Sequence, residues 1–313
     1  MTTDLPKVVA TSVVRGDERD GSKGGVYTID FGRQEVEQLY DWDSSEVDFK
    51  GSSGDRGMRG IVIGDGDILI ASSDVLFRCD RDFEIKTFSR NFYLDDCHEI
   101  CEYKGKIFLT SPGFDSLLAF DLESRNYVWG YHLIRQYNEW AGHTFDPQMD
   151  NGPVPVNDYQ LNMVHVDDSG IYFSGKGTNA MLHLDNDMKV SEICSLPAGA
   201  HNARPYRNGV LFNDTNSDCV RYVGRNEESL AFKTDTYDEA DIDFAYVENP
   251  AILRQGFARG LCAADDRFIV AGSSPSTISL YDFKTEQKVG SVNLSLDIRN
   301  AVHGLTIWPF DNI

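Results

Sequence analysis

The chain reads as an all-β protein, a six-bladed β-propeller whose ring closes by pairing its C-terminal strand with N-terminal strands. Three features predict this. A unit of short apolar strands bounded by Gly, Asp and Asn turns recurs along the sequence. Each full copy holds four such strands, the content of one propeller blade. The last copy stops after its first strand, while the N-terminus carries strands that belong to no copy.

In order along the chain, "KVVATSVV", "GGVYTIDF" and "VEQLYDW" are the unattached N-terminal strands. The first full copy opens at Arg59 with "RGIVIGDGDILIASSDVLFRC", and the second at His98 with "HEICEYKGKIFLTSPGFDSLLAFDL". The third opens at His165 with "HVDDSGIYFSG", the fourth at His201 with "HNARPYRNGVLFND", and the fifth at Arg259 with "RGLCAADDRFIVAGSS". "HGLTIWPF", from His303, is the closing fragment. The expected blades are 59–95, 98–127, 165–195, 201–232, 259–295, and a split blade of 303–313 plus 7–40, in one domain. Copy spacing is uneven, and the excess falls in 40–58, 127–160 and 228–257. These segments are expected as loop insertions on one face, joining an outer strand to the next inner one, where loops often carry function.

The first strand of a blade lines the central channel. Reading the first residue of each copy around the ring gives Arg59, His98, His165, His201, Arg259 and His303. Four of the chain's seven histidines fall on six positions, which chance explains poorly. A bland alternative is a polar plug of side chains bonded to one another and to water. Imidazoles crowded around one axis would repel if protonated, which favours the neutral, metal-binding form. The pattern therefore predicts a mononuclear centre of His98, His165, His201 and His303 holding a divalent transition metal, with Fe(II), Mn(II) or Zn(II) foremost. Glu99 and Asp167 are candidate carboxylates to orient the imidazoles.

Arg59 and Arg259, with Arg204 and Lys176 as additions, predict a clamp for a small anionic substrate. The segments "NYVWGYHLIRQYNEWAGHTFDPQMDNGPVPVNDYQLN" and "DEADIDFAYVENPAILRQG" are the lid candidates. Trp129, Trp140, His132 and His143 in the first are expected to wall the pocket. His183 reads as an ordinary strand residue.

Bulk properties narrow the function classes. A formal charge of −21, from 50 acidic and 29 basic residues, opposes binding to nucleic acid or to an anionic membrane. No apolar run is long enough to span a bilayer. The start, "MTTDLPKVVATSVV", lacks the pattern of a secretory signal, so a cytoplasmic location is expected. Six cysteines without a second closely spaced pair beside Cys97 and Cys101 read as reduced thiols.

The segments "DCHEICEYKGKIFLTSPGFDSLLAFDL", "AHNARPYRNGVLFNDTNSDCV" and "GFARGLCAADDRFIVAGSS" resemble a family of uncharacterised bacterial six-bladed propellers with a GF-x-RGL motif. "CHEI" and "AHNARPYRNGVLFND" are also similar to inner-strand segments of PAPS-independent arylsulfotransferases. That resemblance implies His201 as a covalent nucleophile, supported by His98 and His165. The four-imidazole arrangement resembles carotenoid oxygenases in geometry alone. The expected function is thus a metal-dependent lyase, hydrolase or oxygenase acting on a small anion. The alternatives are a metal-free transferase using His201, and a non-enzymatic propeller that binds a ligand or protein.

Overall fold

A computed structural model describes residues 5–15, 23–50, 56–64, 66–226, 228–245 and 253–310. They form six antiparallel sheets in a ring, the expected propeller. Blade one comprises Ile61–Ile63, Ile68–Ser72, Val75–Cys79 and Ile85–Arg90. Blade two has five strands, Ile100–Tyr103, Lys106–Ser111, Ser116–Asp121, Asn126–Gln136 and Glu139–Phe145. Blade three is Leu161–Asp167, Gly170–Gly175, Ala180–Asp185 and Val190–Ser195; blade four is His201–Tyr206, Gly209–Asp214, Cys219–Gly224 and Ser229–Lys233. Blade five is Ala258–Ala263, Phe268–Ser273, Thr277–Asp282 and Gln287–Asn293. Blade six joins Asn300–Ile307 to Lys7–Val14, Lys23–Asp30 and Glu35–Asp43.

Ring closure is an antiparallel pairing in which Val8 faces Ile307, Ala10 faces Leu305 and Val14 faces Asn300. Alternation then turns Val8, Ala10, Val302 and Leu305 towards Val270, Ile278 and Leu280 of blade five. Equivalent apolar layers separate other blades; Leu117, Leu133, Leu161, Val164, Phe173 and Leu182 form the layer between blades two and three. Each such buried side chain contributes roughly 1.5–3 kcal/mol relative to exposure. These layers hold the inner strands around the axis.

Two expectations are corrected. The segment 127–160 is not mainly a loop, because Asn126–Gln136 and Glu139–Phe145 pair as an outer hairpin. Its turn residues, Tyr137 and Asn138, both adopt positive φ, as a tight two-residue hairpin requires. Blade three begins at Leu161 rather than His165. Of the other two predicted insertions, residues 51–55 and 246–252 lie outside the described residues, as do 311–313 of the predicted split blade. All six cysteines are free thiols. Among the described residues, no helix is long and apolar enough to cross a membrane.

The inner strands carry β-bulges that re-aim side chains towards the channel. Register shifts occur between Leu161 and Met163, His201 and Arg204, Ala258 and Leu261, and, on the partner of the closing strand, Ala10 and Ser12. Glycines permit the close approach of neighbouring blades there. A Cβ on Gly304 would lie 2.3 Å from the Arg59 carbonyl oxygen, and Gly260 has φ +76°.

Candidate anion site at the channel mouth

Five of the six predicted spokes converge. Arg59, His98, His201, Arg259 and His303 are linked by contacts between blades one, two, four, five and six. The Nη1 of Arg59 lies 2.5 Å from Asp96 Oδ1 and 3.2 Å from His98 Nδ1. The guanidinium of Arg259 reaches two imidazoles, at 2.8 Å to His303 Nε2 and 3.3 Å to His201 Nε2. The rings of His98 and His303 are 5.9 Å apart.

His165 is not part of this group. His98 and His201 each lie five residues before the last paired residue of the inner strand, Tyr103 and Tyr206. The same offset from Asp167 in blade three falls on Asn162, leaving His165 near the opposite end of its strand. There His165 lies 6.2 Å from the ring of Tyr172, which stacks on His183 at 4.3 Å. Asp167 caps a turn, accepting from the backbone N–H of Ser169 at 2.8 Å and its hydroxyl at 2.6 Å.

The hydrogen bonds set the tautomers. The carbonyl of Asp96 can only accept, and it lies 2.6 Å from His98 Nδ1. This contact is shorter than the 3.2 Å approach of Arg59 Nη1 to the same nitrogen, so Nδ1 carries the proton and does not accept from Arg59, leaving Nε2 as a lone pair with no hydrogen-bond partner among the described residues. Thr215 donates to the Ala258 carbonyl at 2.9 Å and so accepts from His201 Nδ1, also at 2.9 Å. Since an arginine can only donate, the Nε2 atoms of His201 and His303 are acceptors for Arg259.

Burial keeps all three imidazoles neutral. It pushes the His98 pKa down to about 3, with the Arg59 and Arg259 charges adding to the effect and Asp96 opposing it. His201 and His303 are also held well below the ordinary histidine value, first by burial and then by Arg259. Burial alone would raise the Asp96 carboxyl, but His98, Arg59 and Arg259 outweigh it and hold it below its usual value.

A metal centre of four imidazoles does not match this geometry. One of its four ligands lies elsewhere, and two of the remaining three direct their lone pairs at a guanidinium. No group of three or more metal-binding side chains occurs among the described residues.

The ring opens into a cavity of about 180 Å³ lined by Asp96, His98, Gln160, Asn162, Lys176, His201, Phe257 and Arg259. Its volume equals that of about six waters, enough for a small molecule. A larger surface hollow of about 820 Å³, bordered by Met181, Leu196, Phe212 and Arg221, shares no lining residue with it. Asp96, Gln160, Asn162 and Phe257 are the cavity residues that the sequence pattern overlooked. Counting back from each turn finds Asn162; Asp96 joins the site through a fold of the chain before the strand.

Other predicted residues lie away from this cavity. Glu99 does not orient His98. Its carboxylate accepts from Asn202 Nδ2 at 3.0 Å and lies 4.0 Å from the Arg204 guanidinium, in a buried layer beneath the mouth. Asn202 has φ 54°, and its Oδ1 accepts from Asn213 at 3.0 Å and from the Gly260 N–H at 3.1 Å. Burial raises the Glu99 pKa to about 7, against the lowering influence of Arg204.

Trp129, Trp140, His132 and His143 stand on the outer hairpin of blade two and do not line the cavity. Trp129 stacks with Tyr131 at 6.0 Å, Trp140 meets Tyr159 edge-on at 5.2 Å, and His132 and His143 are 5.3 Å apart. Strand geometry directs them into packing on the outer part of the blade.

No family model matches the chain, and no curated protein matches it. The propeller is similar to solved structures. A chain of the nidogen/laminin complex aligns with a TM-score of 0.59 at 8% identity, over 96% of this chain and 98% of that one. A Bacteroides caccae protein of unknown function aligns at 0.57 and 10% identity, over 98% and 100%. Virginiamycin B lyase from Staphylococcus aureus aligns at 0.51 and 10% identity, over 95% and 92%. At these identities the likeness shows the fold alone. The sequence resemblances to particular propeller families rest on their motifs.

Proposed function

We propose that the channel mouth binds a small anionic molecule and acts on it by proton transfer through His98. The observation that carries this reading is the convergence of Arg259, Lys176 and the neutral imidazoles of His98 and His201 on one small cavity. Arg259 is half-buried and attracts an anion more strongly than Lys176, which is exposed and screened by water. Lys176 lines the cavity with no carboxylate in ion-pair range among the described residues. Arg259 and Lys176 line the cavity and Arg59 does not, so the anion is received on the side of Arg259 and Lys176.

His98 is the base because its Nδ1–H donates to Asp96 while Nε2 keeps its lone pair. A base with so low a pKa is weak on its own. Burial is the main cause of that low value, but an anion against Arg259 offsets the part that the arginine charge adds, so binding raises the basicity of His98. Asp96 stabilises the imidazolium that forms. This arrangement suits proton abstraction beside a carboxylate, the first step of an elimination. His201 is less suited to nucleophilic transfer, because both ring nitrogens are engaged.

The test measures thermal stabilisation by phosphate, sulfate and small carboxylates, then solvent deuterium exchange into bound carboxylates. Binding should weaken in Arg259→Gln, while His98→Asn should keep binding and lose exchange. If no small anion binds, the reading fails. Binding without exchange would leave a ligand-binding propeller.

A further inference from the structure

Asn162 occupies the ring position that His98 and His201 hold in their own blades. It is 5% exposed and lines the cavity. Its Nδ2 is directed to the Ala200 carbonyl at 3.4 Å, which distinguishes the amide nitrogen from the oxygen and makes Oδ1 the remaining group. That Oδ1 is buried without a hydrogen-bond partner among the described residues. A buried acceptor left unpaired is costly and uncommon. The terminal torsion of asparagine is broad, and the Ala200 contact is long, so a small turn presents Oδ1 to the cavity.

We propose that Asn162 selects an α-hydroxy carboxylate by accepting a hydrogen bond from its hydroxyl while Arg259 and Lys176 hold the carboxylate. This rests on the anion reading of the same cavity and adds a second recognition element to it. A hydroxyl is favoured over an ammonium group because Arg259 and Lys176 already make the receiving wall positive. An ammonium group there would meet like charge. Cavity size agrees with a small acid rather than a bulky one.

Calorimetry on the full chain, with propanoate, lactate, O-methyl lactate and alanine as probes, tests the assignment. Lactate should bind roughly tenfold or more tightly than propanoate and O-methyl lactate, the ratio expected when a buried acceptor gains its donor. Asn162→Leu should remove that preference while retaining propanoate affinity. The comparison among ligands in the unsubstituted protein stands even if the variant fails to fold. Equal affinity for lactate and propanoate would overturn the role of Asn162 and leave the anion reading intact. Tighter binding of alanine would overturn the hydroxyl assignment. Binding of none of the acids, with phosphate and sulfate also inert, would overturn the anion reading itself.

Discussion

Replacing Glu99 with glutamine tests the buried layer beneath the mouth. The carboxyl has a pKa of about 7 in the folded protein, against 4.5 as the ordinary value. A folded pKa raised above the unfolded one contributes stability that is complete below the unfolded value and is lost as pH rises through the folded value. Between pH 5 and pH 8 the unfolded chain gives up its proton first, so folding must retain a proton or bury a charge. Linkage with these two values places the loss at about 2 to 3 kcal/mol over that range. Glu99→Gln cannot ionise, so its stability relative to the native sequence should rise by that amount from pH 5 to pH 8. The carboxamide also loses the bond that Glu99 Oε1 accepts from the Ile100 N–H at 3.3 Å, but this offset is independent of pH. Urea unfolding of both proteins at the two pH values measures the difference. A stability difference that does not change with pH would refute the buried, protonated carboxyl.

The same variant exposes the histidine titration without the opposing slope of Glu99. His98 has a folded pKa depressed from 6.5 to about 3, so the unfolded state binds the extra proton as pH falls below 6.5. Glu99→Gln should lose about 2 kcal/mol through His98 between pH 6.5 and 4.5, and adding His98→Asn should flatten the urea-unfolding profile by that amount. Gly304→Ala places a methyl group against the Arg59 carbonyl and should cost about 1–3 kcal/mol in urea unfolding, more than substitution at the unobstructed Gly66. Elemental analysis should find Fe, Mn and Zn well below one equivalent. A full equivalent that is lost in a His98→Ala/His201→Ala pair would restore the metal reading and require Arg259 to leave the two Nε2 atoms.

The recurrent strands and turns made the blades legible, because alternation and turn residues are local properties of the chain. The truncated last copy and the unattached N-terminal strands likewise disclosed the closure. Five spokes could be read from the first residue of each repeated segment, although Arg59 and His98 precede their strands and His303 lies within Asn300–Ile307. His165 misleads because residue type alone does not mark the start of a strand, and Leu161–Asp167 begins four residues before it. The outer hairpin of blade two is not legible as strands, since its polar and aromatic residues lack the clean alternation of a half-buried strand.

The sequence by itself determined the propeller, its closure and the Arg/His character of the channel mouth, since these follow from periodicity and equivalent positions. Tertiary structure alone decided that Asp96 orients His98, that Arg259 bridges His201 and His303, and that Glu99 lies with Asn202 and Arg204. Those contacts join residues on different blades or at a fold before a strand. Their distances depend on how six sheets pack around the axis, and their protonation depends on the burial that this packing creates.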